Sequence, residues 1–193
     1  MAVRTARTVL LALAVLALHG VARAQVPAQE TVAFHGLTFP AAIAGAERFS
    51  VRDYEKDNPG LGYSVGYRQP GVVTTVYVYD LQKREIPDDP TASTITAEFQ
   101  QAMAEIVQLQ RQGGYATVEP NGEFSVADAN GRTRLACASV RLVRADRPGD
   151  LVSYLCVGGW KSKFVKFRAT MEPQLQAGAR AFLQAWVGLL WPS

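Results

Sequence analysis

From Tyr115 to Thr170 the chain offers strand after strand with no helix between them, and this run limits the fold more than any other feature. Five segments read as strands: Tyr115 to Glu119, Glu123 to Ala127, Arg132 to Arg144, Leu151 to Gly158 and Lys163 to Thr170. A parallel sheet needs helices alternating with its strands as crossovers. Their absence here calls for an antiparallel arrangement.

The first third of the chain carries more strand signals. Thr31 to Phe39 reads as a strand pair around the turn-forming His35-Gly36, and Arg48 to Glu55 as a further strand. Asp57-Asn58-Pro59-Gly60 is a turn. Gly62 to Arg68 alternates aromatic and small residues, and Val72 to Leu81 (VVTTVYVYDL) is rich in β-branched and aromatic side chains. Between them, Pro70-Gly71 is the central pair expected of a type II turn. That turn places Tyr63 opposite Val78 and Ser64 opposite Tyr77.

Two helices interrupt the strands. Asp89-Pro90 reads as an N-cap followed by proline at the first helical position. Ile95, Phe99, Met103, Ile106 and Leu109 then recur at helical spacing, and Gly113-Gly114 ends the helix. A second helix starts near Glu172-Pro173 and carries Leu175, Ala179, Phe182, Trp186 and Leu189 on one stripe. Each helix has one apolar face, and a sheet is the surface on which to bury it. The fold class is therefore α+β: one domain over residues 31–193, a mainly antiparallel sheet with helices packed on it.

The N-terminus reads as an export signal. Arg4 and Arg7 precede the apolar run Val9 to Leu18, and Ala22-Arg23-Ala24 has the small-x-small form of a cleavage site. The run is short for a bilayer span. Residues 1–24 are thus expected to be a signal peptide and 25–30 a flexible lead-in, leaving a periplasmic or secreted protein with no further apolar span. The formal net charge of +3 comes from the leader, which holds Arg4, Arg7 and Arg23 and no acid. Without it the chain is neutral, which removes the global electrostatic case for nucleic acid.

Candidate sites are few. Gly62-Tyr63-Ser64-Val65-Gly66 matches G-x-S-x-G, the nucleophile elbow of serine hydrolases. An elbow requires a strand before the serine and a helix after it. Here Ser64 lies inside an alternating segment followed by a turn and another strand. The one histidine beyond the leader, His35, precedes it. Gly60, Gly62 and Gly66 better suit a bulged or closely packed strand. His35 alone is no metal site, and Asp53, Glu55 and Asp57 lack the pattern of a calcium loop.

Cys137 and Cys156 are the only cysteines, and export favours their union. Register decides it. A tight turn at Pro148-Gly149 would leave them about 13 Å apart on one face, too far to bond. A turn centred on Asp146-Arg147 puts them face to face. The stretch Trp160 to Arg168 interleaves aromatic and basic residues, but strand alternation sends Lys161 and Lys163 one way and Lys166 and Arg168 the other. Tyr63, Tyr67, Tyr77 and Tyr79 crowd two neighbouring strands, as sheet cover or as the lining of a pocket.

The stretches GLGYSVGYRQPGVVTTVYVYDL and SYLCVGGWKSKFVKFRAT, with a helix between and a helix after, resemble a group of uncharacterised exported bacterial proteins. The order of elements also resembles the PsbP/DcrB/LpqN-type sandwich. That resemblance implies an accessory or binding role, with no shared catalytic residues to carry over. The reading is a non-enzymatic exported module, without cofactor, that binds a partner protein or a small ligand. Its surface would include Tyr77, Tyr79, Trp160, Lys161 and Lys163. The alternatives are a small serine hydrolase using Ser64 with His35, and envelope or nucleic-acid association through Lys161, Lys163, Lys166 and Arg168.

Overall fold

Ten strands and two helices form in the order the sequence dictates, in a computed structural model that describes residues 31–146 and 149–191. The signal peptide expected over 1–24 and the lead-in over 25–30 lie outside the described residues. So do Arg147, Pro148, Pro192 and Ser193.

β1 (Val32–Phe34) and β2 (Leu37–Phe39) form a separate hairpin. The remaining strands are β3 (Ala42–Ile43), β4 (Ala46–Asp53), β5 (Tyr63–Gln69), β6 (Val72–Tyr79), β7 (Tyr115–Ala127), β8 (Thr133–Arg144), β9 (Asp150–Trp160) and β10 (Lys163–Met171). They make one antiparallel sheet in the order β3-β4-β5-β6-β10-β9-β8-β7. Two meanders, one from each half of the chain, therefore meet where β6 pairs with β10. The long helix α1 (Ser93–Arg111) links them, carrying the chain from β6 to the far edge at β7. The second helix, α2 (Ala179–Leu190), lies on the opposite face with the β1–β2 hairpin.

The β5–β6 register is the one the Pro70-Gly71 turn implies, with Tyr63 opposite Val78 and Ser64 opposite Tyr77. Gly71 has φ +74°, as the third position of a type II turn requires. Cys137 faces Cys156 directly, with Cα atoms 4.0 Å apart and the sulfurs bonded. The register with a tight Pro148-Gly149 turn is excluded.

Four local expectations change. The segments 115–119 and 123–127 are one strand, bent by an irregularity between Pro120 and Glu123. Proline has no N–H for the ladder, so the strand bulges at that point rather than ending. α1 starts at Ser93, not at Pro90. Asp89 instead turns the chain, its carboxylate accepting from the Thr91 amide (2.9 Å) and hydroxyl (2.8 Å). Residues 173–178 form a 3₁₀ turn, which leaves Leu175 exposed ahead of the true helix. The buried stripe of α2 is accordingly Ala179, Leu183, Trp186, Val187 and Leu190.

The core on the α2 side is aromatic. Trp186 meets Tyr67 (ring centroids 4.8 Å apart) and Phe167 (5.7 Å), and all three are fully buried. Truncating such a ring costs ~3–5 kcal/mol. The Tyr67 hydroxyl donates to the Pro40 carbonyl (2.7 Å), and Arg48 donates to the Phe39 carbonyl (2.7 Å), tying the hairpin to the sheet. Among the described residues no helix is long and apolar enough to cross a membrane.

Candidate functional site

The placement of α1 creates the site. It packs on β7, β8 and β9 and buries Tyr79 of β6 and Phe164 of β10, so only part of the same face of β6 and β10 lies open along the helix's flank. Alternation brings Thr75, Tyr77 and Tyr79 of β6 and Lys166, Arg168 and Thr170 of β10 to this face, with Lys166 opposite Tyr77 and Arg168 opposite Thr75. The result is a trough of three adjoining hollows. The first, about 470 Å³, is bordered by Thr75, Tyr77, Tyr115, Arg144, Arg168 and Thr170. The second, about 330 Å³, shares Tyr77 and Arg168 and gains the aliphatic side chains of Ile106, Leu109 and Leu155. The third, about 480 Å³, runs from Tyr77 past Tyr54 and Tyr79 to Leu61 and Leu81. These two leucines are 45% and 42% exposed. Tyr77 borders all three hollows.

The trough is polarised. The Tyr79 phenol donates to the carboxylate of Glu98, a residue of α1 that is only 8% exposed. Burial pushes the Tyr79 pKa far up, and the Glu98 charge pushes it further. Burial also raises Tyr77, with Tyr54 adding to the shift. Both phenols thus stay neutral and able to donate. Lys166 Nζ lies 3.9 Å from Glu98 and 3.9 Å from Glu105, above the rings of Tyr79 (5.0 Å) and Tyr77 (5.5 Å). Arg168 differs. Its guanidinium donates to the Tyr115 hydroxyl (2.9 Å), and no carboxylate among the described residues pairs with it. Arg141, by contrast, holds Glu119 and Asp150, and Arg144 holds Asp146.

Ser64 is the second residue of β5, near the strand's start rather than within a strand-to-helix turn, and is flanked by Arg52 on β4 and Tyr77 on β6. It is 4% exposed, and its hydroxyl shares a hydrogen bond with the Tyr54 hydroxyl (3.2 Å). The residue before it, Tyr63, points to the other face, where it stacks on Phe34 (4.1 Å) and approaches His35 (5.9 Å). His35 and Ser64 are thus on opposite sides of the sheet, and the strand–helix elbow is replaced by strand–turn–strand. Gly62 and Gly66 serve packing: a Cβ on Gly66 would meet the Phe49 ring at 2.9 Å.

The acids at 53 and 55 serve the backbone. Asp53 accepts from the Glu55 amide (3.0 Å), and Glu55 accepts from the amides of Gly60 (3.0 Å) and Gly62 (2.8 Å), closing the loop before β5. Of the expected binding surface, Tyr77 and Tyr79 line the trough, but Trp160, Lys161 and Lys163 do not join them. Trp160 packs on Trp191 at the α2 side (6.3 Å), with Lys161 above its ring (5.1 Å). Lys161 and Ser162 both have positive φ (47° and 59°) and form the β9–β10 turn, so Lys161 is not a strand residue. Lys163 pairs with Asp80. Of the basic residues expected from the 160–168 stretch, Lys166 and Arg168 reach the trough, where Arg144 of β8 joins them.

Glu98, Leu61, Leu81 and the Arg168–Tyr115 contact do not stand out in the sequence. For Glu98 a signal existed: it stands three residues after Ile95 and four before Ala102, on the apolar stripe of α1. A carboxylate on that stripe needs a buried partner, and Tyr79 is that partner.

No protein-family model matches the chain, and no curated protein matches it. Among solved structures it is similar to the solution structure of cyanobacterial PsbP (CyanoP) from Synechocystis sp. PCC 6803. That match has 15% identity, 78% of this chain and 82% of that one covered, and a TM-score of 0.49. It is also similar to the crystal structure of PA94 from Pseudomonas aeruginosa, a protein of unknown function described as a putative regulator. There the identity is 11%, the coverage 81% and 92%, and the TM-score 0.37. No residue role is carried over from either.

Proposed function

We propose that this protein is an exported, non-catalytic module that holds a small ligand in the trough between α1 and the β6–β10 seam. The observation that carries the reading is the convergence of three hollows on Tyr77, with neutral phenols, aliphatic side chains and, among the described residues, a cation lacking a carboxylate partner along their walls. Pockets of this size with a few convergent polar groups are where ligands bind. Export is supported by Arg4 and Arg7, the Val9 to Leu18 run, Ala22-Arg23-Ala24 and the Cys137–Cys156 bond, which suits an oxidising compartment.

A photoreactive side chain at Gln101, on the trough flank of α1, tests the site against one at Gln184, exposed on α2. After illumination in the native host, the Gln101 derivative is expected to gain a small-molecule mass and the Gln184 derivative none. Capture of a whole protein from Gln101 alone would turn the reading to a protein partner. Equal capture from both positions would remove the trough from consideration. The same purified protein should begin at Gln25 by intact mass, and retention of residues 1–24 would refute cleavage.

A further inference from the structure

We propose that the ligand is an amphipathic organic anion, its acid group seated on Arg168 and its apolar body laid along Tyr77 against Ile106, Leu109 and Leu155. This rests on the trough being the binding site and adds the chemistry of what fills it.

Most charges along the trough are already matched. Lys166 is held by Glu98 and Glu105, and Arg144 by Asp146. Glu98 is further occupied by the Tyr79 hydroxyl. Glu172, at the outer rim, accepts from the Gln174 amide. Arg168 remains: half-buried, lining two of the hollows, with one hydrogen bond to Tyr115 drawn from a guanidinium that carries five donors. A partly desolvated guanidinium without a counter-ion is costly, and an anion is what offsets that cost. Thr75, directly across the strand pair, and Thr170 bring hydroxyls to the same hollow.

The second half of the ligand follows from what adjoins Arg168. The hollow of about 330 Å³ that shares it is walled by Ala102, Ile106, Leu109 and Leu155. A free inorganic ion would leave this surface wet, whereas an organic acid covers it. Tyr77 borders both hollows, so an aromatic side chain adjoins the apolar wall and the acid seat alike. A cationic ligand is disfavoured inside the trough, because Glu98 and Glu105 already hold Lys166 and Tyr79, while Glu172, whose carboxylate accepts from the neutral Gln174 amide, stands exposed at the rim.

The test uses two probes with one aromatic body. Anilinonaphthalene sulfonate carries an acid group, and N-phenyl-1-naphthylamine is its uncharged counterpart. Both are titrated by fluorescence into the purified full chain, with near-UV circular dichroism confirming native packing in every variant. The sulfonate is expected to bind at least about tenfold tighter than the neutral probe, the scale of one charge-assisted contact. Arg168→Gln, or Arg168→Met should the first variant fail to fold, is expected to erase that preference and leave the neutral probe unchanged. Leu109→Trp, which fills the aliphatic hollow, is expected to weaken both. Equal affinity for the two probes in the parent chain would overturn the anion seat, as would an Arg168 variant that keeps the preference, and the trough would still stand. Binding of both probes that ignores Leu109→Trp, or no binding of either, would overturn the trough itself.

Discussion

Replacing Gly62 by alanine tests what the glycines around Ser64 are for. Gly62 has φ +59°, a left-handed conformation that costs an alanine ~1–2 kcal/mol. Its added Cβ would also fall inside the contact radius of the Val78 carbonyl oxygen and lie 2.9 Å from Tyr79 Cα. Both are backbone atoms of β6, so relief requires the strand to move, which overpacking data put at ~1–3 kcal/mol or more. The sum is ~2–5 kcal/mol. Gly131 supplies the control: its φ is +77°, but nothing lies within 4 Å of the position its added methyl would take, so Gly131→Ala should show the conformational part alone, ~1–2 kcal/mol. Urea unfolding followed by the fluorescence of Trp160, Trp186 and Trp191 measures both. If the two variants lose the same stability, close packing against β6 is not the reason for Gly62. If Gly62→Ala keeps full stability, the geometry drawn around the G-x-S-x-G segment is wrong.

Three further outcomes follow from the same geometry. Ser64→Ala should lose about 1 kcal/mol with its bond to Tyr54, and a fluorophosphonate probe should leave the parent chain unlabelled; stoichiometric labelling abolished by this substitution would reinstate the hydrolase. Opening the Cys137–Cys156 bond, which spans 19 residues, should cost about 3 kcal/mol by loop entropy, read as a lower unfolding midpoint in reductant or in the double alanine variant, and no change would refute it. Burial pushes the Tyr67 phenol up to about 12, against a weaker opposing pull from Arg48. The unfolded chain ionises near 10, so above about pH 10 it sheds the proton first and stability falls by ~1.4 kcal/mol per pH unit until about pH 12. Tyr67→Phe should make that alkaline limb shallower without flattening it, because Tyr77, Tyr79 and Tyr154 are raised as well.

Local rules determined most of the elements. β-branched runs, a Pro-Gly turn and helical spacing in Ile95, Phe99 and Ile106 are short-range signals, and they yielded the strands, the β5–β6 register and the α+β class. Where they failed, the cause was still local. The Pro120–Glu123 bulge bends a strand whose polar residues read as a break, and Asp89 bonds Thr91 instead of capping a helix. The β8–β9 turn shows the limit: both registers satisfy the pattern of residues, and the bonded one places Cys137 opposite Cys156.

The trough belongs to the other category. Tyr77 and Tyr79 were legible because they alternate on one strand, but nothing in the sequence near them points to Arg168, Tyr115 or Glu98, which lie far along the chain. These meet because β10 returns through the second meander to pair with β6, and because α1 must reach the distant edge at β7. The helix then shields β7 to β9 and reaches the seam only through Glu98 and Glu105 at Tyr79 and Lys166 and through the packing around Phe164, leaving the rest of that face open. Sequence patterns specify which face a side chain takes within its own element. Which elements become neighbours is decided by the burial of both apolar helix faces and of the whole sheet at once, a long-range condition that short sequence windows do not contain.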